Sequence, residues 1–430
     1  MLVHEDMMRR AHWFMVAGAI ATLAIGLTAV RTRAHRSLPS VAIPTTTESE
    51  IRDLDIAFYE RRAAEDPESA GDRAQLAGLY LQRARTSGGF TDYARAEQVA
   101  RRSLSLRTAH NGQTFSLLAS ALLARHDFVG ALEVAQHADS IEPGNTNHVA
   151  LIGEIELELG DYDGAARHFA SLHFDTDQFT VAARVARWRE LTGHADAARR
   201  LLHTAISRVD RRDDLPKEQV AWFHYRLGEL ELRTGQLDAA EAAYRQGLRI
   251  FSDDYRILGG LARLECARGH WQQAIDYGNQ AVAIQLDPAT LGTISDAFFA
   301  VGDTAQAEQY ARAMTASALE QPGPIHRAWG LFILDHGTPR DAERVLAKTR
   351  EELRTRHDVY GYDLLAWALH RQGRNTEAGV AMRRALAQHT EDPQLVRHAQ
   401  AIDAALAVAT THNAGTPGGT PCRSSRLTCN

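Results

Sequence analysis

The chain has 430 residues, 44% of them hydrophobic and 24% charged, which is ordinary for a folded soluble protein. Its formal net charge of −6 lacks the basic excess of a nucleic-acid-binding protein, so we expect no nucleic-acid partner. Three cysteines are too few for a disulfide framework, and no Cys/His pairing has the spacing of zinc ligands. We therefore expect neither a metal site nor a cofactor.

An uncharged apolar stretch, residues 13–30, follows a basic N-terminal segment, residues 1–12. As a helix, its 18 residues span roughly 27 Å, close to the thickness of the hydrocarbon core of a bilayer. We expect an uncleaved, single-span membrane anchor here. A cleaved signal peptide is the main alternative, and a buried core helix is a third.

The orientation of this anchor follows from the charges around it. Arginines after the stretch slightly outnumber those before it, which favours a cytoplasmic location for the rest of the chain. A basic segment ahead of an N-terminal anchor, however, commonly places the following chain outside. We expect the rest of the chain on the periplasmic side of a bacterial inner membrane.

Two short segments connect the anchor to the main part of the chain. Residues 31–46 contain Ser, Pro and Thr and are predicted to be a linker. Residues 47–72 are predicted to hold an N-terminal helix, with Thr46 or Thr47 as its N-cap and acidic residues in its first turn.

A glycine recurs through the middle of the chain at intervals of 33 to 42 residues. An alanine follows each of these glycines by five residues, and a small residue precedes each by seven. This pattern is typical of stacked helix-turn-helix hairpins, in which small residues let the two helices approach closely. The turn glycines are Gly160, Gly193, Gly235, Gly269, Gly302, Gly337 and Gly373.

The fifth hairpin carries Leu227, Gly228, Gly235, Ala240 and Tyr244 at the positions of the recurring small, apolar and aromatic residues of a helix-turn-helix repeat of about 34 residues. In these residues the chain resembles the tetratricopeptide repeat family, and the resemblance extends over residues 73–392, about nine hairpins. It implies an all-α fold, a right-handed α-solenoid of stacked helix-turn-helix hairpins. The segment 208–219 departs from the pattern, because it lengthens the junction between the fourth and fifth hairpins.

The end of the repeated part is predicted from a change of composition. One helix, residues 393–407, is expected to begin at Pro393 and to cap the last hairpin, because it has no partner helix. Residues 408–430 are rich in Thr, Gly, Pro and Ser and lack an apolar period, so we expect a disordered tail.

The sequence contains no phosphate-cradling glycine-rich loop, no nucleophile elbow and no zinc-protease motif. Its 20 histidines are scattered, and none form a pair with ligand spacing. The array occupies almost all of the folded chain and leaves no room for a catalytic domain. We therefore predict that the protein is not an enzyme.

The resemblance implies that the first helix of each hairpin lines a concave groove, which would hold a peptide or a partner helix. The Lys and Asn residues of the family's clamp for a C-terminal carboxylate are not present at the required positions. The alternative interpretation of each candidate, and above all of the aromatic ones, is packing between adjacent hairpins. Counting back from the turn glycines gives these groove candidates: Arg187, Glu190, Trp222, Tyr225, Glu229, Arg256, Arg263, Asp296, Phe299, Arg327, Tyr360, Trp367 and His370.

These observations predict a non-enzymatic, membrane-tethered scaffold that binds other proteins, in the assembly of a cell-envelope or secretion complex. The first alternative is a soluble, secreted binding protein, released by cleavage of the apolar stretch. The second is an accessory subunit of a transferase or hydrolase.

Overall fold

The structure, a computed structural model, describes residues 47–87, 89–172, 178–320 and 326–413. The predicted basic segment, membrane anchor and linker, residues 1–46, lie outside the described residues, as do residues 414–430. The chain divides into two units, residues 1–51 and 52–430. Among the described helices, none has both the length and the apolar character that crossing a bilayer requires.

The described residues form twenty α-helices and no strand. The helices in the first half are α1 (Glu48–Glu65), α2 (Ala70–Ser87), α3 (Phe90–Leu106), α4 (Gly112–Ala124), α5 (Phe128–Ile141), α6 (Thr146–Leu159), α7 (Tyr162–Ser171), α8 (Phe179–Leu191), α9 (Ala195–Val209) and α10 (Lys217–Arg233). Those in the second half are α11 (Leu237–Ile250), α12 (Tyr255–Arg268), α13 (Trp271–Ile284), α14 (Pro288–Val301), α15 (Thr304–Glu320), α16 (Arg327–His336), α17 (Pro339–Glu352), α18 (Val359–Arg371), α19 (Asn375–Ala385) and α20 (Pro393–Asn413).

Helices α2 to α19 pair in sequence order into nine hairpins, and each hairpin packs on the next. The prediction of an all-α array of stacked hairpins is confirmed. Helix α20 packs against both helices of the last hairpin. It continues to Asn413, whereas the sequence predicted its end at residue 407 and disorder from residue 408. The stretch 408–413 contains no glycine or proline, so nothing in it stops the helix.

Small residues lie where the two helices of a hairpin cross. The alanines that follow the turn glycines by five residues are at most 5% exposed. The small residues that precede the turn glycines by seven are also buried, and Gly228 lies directly against the ring of Tyr244. Larger side chains at these positions would hold the two helices apart. The small residues therefore recur in the sequence because the helices of each hairpin pack closely.

Six of the seven turn glycines have the left-handed backbone conformation that ends a helix, with φ between 72° and 86°. Gly337 does not: its φ of −82° and ψ of −179° are extended. The next residue, Thr338, caps α17 through a capping box with Asp341, and Pro339 occupies the first turn. A strong N-terminal cap thus replaces the glycine C-cap at this turn.

Two stretches that are 198 residues apart in the chain meet along a line that we call the seam, residues 158–162 and 356–359. The backbone N–H of His357 donates to the carbonyl of Leu159 at 2.8 Å. The Arg356 guanidinium donates to the carbonyl of Glu158 at 2.7 Å and to its carboxylate at 3.0 Å. The third hairpin is therefore joined to the start of the ninth.

Further contacts tighten the seam. The N–H of Val359 donates to the Tyr162 hydroxyl at 2.8 Å. Gly160 touches the backbone of His357 so closely that a Cβ at this position would collide with it. One apolar cluster extends from α6–α8 to α14–α20 and includes both sides of the seam, with Val359 fully buried in it.

Asp358 lies inside the seam and begins α18, where its carboxylate accepts a hydrogen bond from the N–H of Gly361 at 2.7 Å. Burial raises the pKa of this carboxyl from 3.8 to about 6, and the Arg356 guanidinium, 2.5 Å away, offsets only part of that effect. The nearby carboxylates of Glu158 and Glu352 also raise the pKa.

This pKa predicts a pH dependence of stability. The folded state binds the Asp358 proton more tightly than the unfolded state, so the stabilisation is complete below about pH 4 and is lost as the pH rises through about 6. Over this window we expect the wild type to lose on the order of 1–3 kcal/mol relative to Asp358→Asn, which still caps the helix. Urea unfolding of both proteins at several pH values measures the difference; parallel profiles would contradict the prediction.

Candidate partner-binding surface

The first helices of the hairpins form a surface that we call the first-helix face. On it, α6, α8 and α10 surround a cavity of about 250 Å³. Thr180, Gln219 and Trp222 line the cavity, and the Trp222 ring stands edge-on to Phe223 with 5.0 Å between ring centroids. Cofactor and drug pockets start at roughly 300 Å³, so this cavity suits one or two amino-acid side chains.

Two ion pairs flank the cavity. Arg184 on α8 pairs with Glu154 on α6 at 2.7 Å. Arg85, at the end of α2, pairs with the buried Glu218 of α10 at 3.2 Å. The cavity therefore combines one aromatic wall with charged groups of both signs, a combination that suits a peptide with an apolar side chain between polar ones.

Glu190 on α8 binds three guanidiniums. It accepts from Arg233 at 2.5 Å, from Arg187 at 3.2 Å and from Arg226 at 3.4 Å. Burial raises the pKa of the Glu190 carboxyl, but the three arginines outweigh burial and lower the pKa to about 2. Glu190 is thus ionised at any physiological pH.

Glu229 on α10 continues the same set of contacts. It accepts from the Tyr244 hydroxyl at 2.6 Å, from Arg233 at 3.4 Å and from Arg263 on α12. Burial again raises its pKa, and Arg263 and Arg233 more than compensate, so the pKa lies below the usual range. The groove candidates Glu190, Glu229 and Arg263 are therefore joined to one another.

Tyr360 at the start of α18 lies between two arginines. The Arg327 guanidinium is 4.6 Å from the centre of its ring, and that of Arg187 is 5.5 Å away. Arg187 also donates to the Tyr360 hydroxyl at 3.3 Å, across 173 residues of sequence. The first-helix faces of the fourth and ninth hairpins therefore touch each other here.

Several groove candidates are occupied in packing instead. Trp367 stacks on His370 and on His398 of α20, with centroid distances of 4.9 and 4.2 Å, and its indole N–H donates to Asp335. The Nδ1 of His370 donates to the Oδ1 of Asn375 at 2.8 Å. These contacts fill the space between the last two hairpins and the capping helix.

Asp296 and Phe299 on α14 also pack against the next hairpin. Asp296 is 3% exposed and lies 2.8 Å from Nε2 of His336, and the Phe299 ring stacks on the same imidazole at 5.2 Å. Burial lowers the pKa of His336, but the hydrogen bond to Asp296 outweighs it and raises the pKa above the usual value.

Tyr225 and Arg256 form a further contact between the fifth and sixth hairpins. The Arg256 guanidinium is 5.9 Å from the Tyr225 ring centre and binds Asp254 at 2.6 and 2.9 Å. Each of the three arginines among the later groove candidates is paired with a carboxylate of the chain itself: Arg256 with Asp254, Arg263 with Glu229 and Arg327 with Asp363.

Some residues of this surface were missing from the sequence prediction. Arg226 and Arg233 stand four residues after Trp222 and Glu229 on α10, and Arg184 stands three before Arg187 on α8. Spacings of three and four residues place side chains on one helix face, so this pattern would have identified them. Within the residues that the structure describes, no group of His, Cys, Asp and Glu could hold a metal ion.

Comparisons with known proteins agree with this architecture. The model of the tetratricopeptide repeat family matches residues 221–264, the region from α10 to α12. No curated protein gives a significant match. The matched stretch is thus similar to a tetratricopeptide repeat, and the hairpins on either side repeat its crossing residues and turn glycines.

Three solved structures have some similarity to the chain, each with low sequence identity. The Cut9–Hcn1 hetero-tetramer of the APC/C is 15% identical, covers 83% of this chain and 67% of its own, and has a TM-score of 0.49. Human IFIT1, as a dimer with PPP-AAAA, is 12% identical over 80% of this chain and 95% of its own, with a TM-score of 0.42. PilW, a type IV pilus biogenesis factor, is 18% identical over 48% and 93%, with a TM-score of 0.40.

Proposed function

We propose that the protein is a non-enzymatic scaffold that binds a segment of another protein on its first-helix face, with Trp222 as the anchor. The observation that supports this proposal is the cavity between α6, α8 and α10, which holds a tryptophan beside two ion pairs. Tryptophan and arginine are the residues that most often dominate the binding energy of protein interfaces.

The mechanism is geometric. Three helices from successive hairpins fix the walls of the cavity, and each helix is held by small residues packed against its partner helix. A partner segment therefore meets a preformed site and pays only for its own ordering. An apolar side chain would enter beside Trp222, and polar neighbours would meet Arg184 and Glu154.

The scaffold is further proposed to be tethered to a bacterial inner membrane through residues 13–30, with the array on the periplasmic side, in the assembly of a cell-envelope or secretion complex. The support is the uncharged apolar stretch between basic residues. A tether would raise the effective concentration of partners at the membrane. Release of the full-length protein from membranes by alkaline carbonate, or a mature N-terminus beyond residue 30, would argue against the anchor.

Photo-crosslinking in native membranes tests the binding site. A photoreactive residue at Gln219, which lines the cavity, is expected to give discrete adducts, whereas one at the exposed Gln273 on the second helix α13 gives none. Trp222→Ala is expected to reduce the Gln219 adducts about tenfold, the loss typical of an interface anchor. Trp271→Ala, a half-buried tryptophan on the second helix α13, is the matched control.

The circular dichroism spectra of both variants should match that of the wild type. Equal loss of adducts in the two tryptophan variants, or adducts from position 219 that Trp222→Ala leaves unchanged, would remove the support for this site. Loss of helical signal in Trp222→Ala alone would instead show that Trp222 stabilises the packing of the helices.

A further inference from the structure

The arginines and glutamates around Glu190 and Glu229 carry an excess of positive charge. Four guanidiniums meet two carboxylates, and the Nη2 of Arg233 is buried without any hydrogen-bond acceptor. A buried N–H without an acceptor is destabilising, so this atom is available to an anionic group. The charged cluster consists of Arg187, Glu190, Arg226, Glu229, Arg233 and Arg263.

The charged cluster is covered by other parts of the chain. A cavity of only about 20 Å³ remains beside Glu190 and Arg233, enough for about one water molecule. Tyr360 and residues 390–392 form its other wall. Two of those residues, Glu391 and Asp392, are acidic; Glu391 is exposed, and the Asp392 carboxylate accepts a hydrogen bond from the N–H of Gln394 at the start of α20.

Both parts of this cover are attached at the seam or beside it. Val359, whose N–H binds the Tyr162 hydroxyl, directly precedes Tyr360. His389, whose carbonyl would collide with a Cβ at Gly193, directly precedes residues 390–392. Parting these contacts would release both walls of the small cavity together.

We propose that the charged cluster is a binding subsite for acidic side chains of the partner segment, and that Tyr360 and residues 390–392 cover it until the seam parts. This inference rests on the proposed function, because it extends the Trp222 cavity along the same first-helix face. While the seam is closed, Tyr360 and residues 390–392 exclude such a ligand from the charged cluster. Binding is then weakened by the small fraction of molecules that are open.

Glycine substitutions test the seam and the neighbouring contact between Gly193 and His389 together, with a matched control; we call the double variant at both contacts the seam variant. Gly160→Ala with Gly193→Ala places a methyl group in each contact, where it meets the backbone of His357 and of His389. Gly235→Ala with Gly269→Ala imposes the same left-handed strain, with φ of 75° and 77°, but meets nothing within 4 Å. The two double variants therefore differ in the seam and not in the strain of their turns.

The probe is a short fluorescent oligoglutamate peptide at low ionic strength, with oligolysine for comparison. We expect the seam variant to bind oligoglutamate about tenfold more tightly than the wild type and the control variant. Adding Arg233→Gln should abolish that gain, and oligolysine should not bind. X-ray scattering should show a larger radius of gyration for the seam variant alone.

The results separate the two parts of the proposal. A more open seam variant that binds oligoglutamate no better than the control would exclude the acidic subsite. A seam variant that remains as compact as the wild type would exclude the covering role of the seam. If alanine at 160 prevents folding, Tyr162→Phe with Arg356→Gln removes the side-chain hydrogen bonds of the seam without added volume and is judged by the same two outcomes.

Neither outcome depends on the native partner. The crosslinking experiment at Gln219 can fail while oligoglutamate binding succeeds, which would leave an acidic site without the Trp222 anchor. The reverse result would keep the Trp222 cavity and discard the covered subsite.

Discussion

Replacing Asp363 with alanine is expected to lower the free energy of unfolding by about 2–4 kcal/mol, the largest single effect that we predict for this chain. Asp363 on α18 is completely buried and binds two partners, a guanidinium and an imidazole. Its carboxylate accepts from Arg327 of α16 at 2.9 Å and from Nδ1 of His398 of α20 at 2.7 Å. One residue therefore ties together the eighth hairpin, the ninth hairpin and the capping helix.

The size of the effect follows from what alanine leaves behind. Burial raises the pKa of Asp363, but His398 and Arg327 outweigh it and keep the pKa below its usual value, so the carboxylate is charged. Its removal leaves the guanidinium and the imidazole without an acceptor. Losing one partner of a fully buried pair costs roughly 3–5 kcal/mol, and the Arg327 side chain, 31% exposed, keeps part of its hydration.

Asp238→Ala is the matched control, since the Asp238 carboxylate also binds an arginine, Arg268 at 2.8 Å, but is fully exposed. We expect its urea midpoint to stay close to that of the wild type, because solvent-exposed ion pairs contribute little. Hydrogen exchange should locate the loss in Asp363→Ala to α16, α18 and α20. Similar midpoints for the two variants would show that the buried contacts of Asp363 are replaced by water.

The hairpins could be predicted because their determinants are local. A turn glycine, an alanine five residues later and a small residue seven residues earlier all belong to one helix pair, so a single period records them. Gly337 shows the limit of this argument: the glycine is present, but Thr338 and Pro339 determine the turn. The same pattern in sequence thus accompanies two different ways of ending a helix.

The seam could not be predicted, since Leu159 and His357 are paired through backbone atoms that carry no sequence information. A similarly large separation in sequence explains why the contacts between groove candidates could not be predicted. Counting from the turn glycines identified Arg187 and Tyr360 as residues of the first-helix face, but no local pattern shows that they contact each other. Whether a charged residue on a first helix faces solvent depends on the curvature of the stacked hairpins.

The sequence also did not show which aromatic residues of the first helices pack inside the array and which remain accessible. Trp222 and Trp367 both lie on first helices, 13 and 6 residues before the turn glycines Gly235 and Gly373, and neither position by itself shows whether the ring packs or stays accessible. Trp367 is stacked against His398, which comes from the capping helix beyond the repeats, whereas Trp222 lines a cavity. Trp222 also packs against an apolar cluster of α8–α11, and the part of its ring that lines the cavity is the part that we propose contacts a partner.

Replacing Gly228 with alanine is expected to lower the free energy of unfolding by about 1–3 kcal/mol, although alanine is the better helix former. An added Cβ would lie 2.5 Å from Cδ1 of Tyr244. The ring has no room to move, because a Cβ at Gly260 on its other side would lie only 2.7 Å from Cζ, and its hydroxyl is held by Glu229 at 2.6 Å. The methyl group therefore has to push α10 away from α11.

Gly78→Ala provides the comparison, because it makes the same change inside helix α2, where the nearest atom is a Leu117 methyl group at 4.0 Å. We expect it to raise the free energy of unfolding by about 0.5–1 kcal/mol, through helix propensity alone. Opposite shifts of the urea midpoint in the two variants would establish that the small residue at the helix crossing is a packing requirement. If Gly228→Ala were stabilising as well, the recurrence of small residues seven positions before each turn glycine would need another cause, and the close approach of the helices would not depend on it.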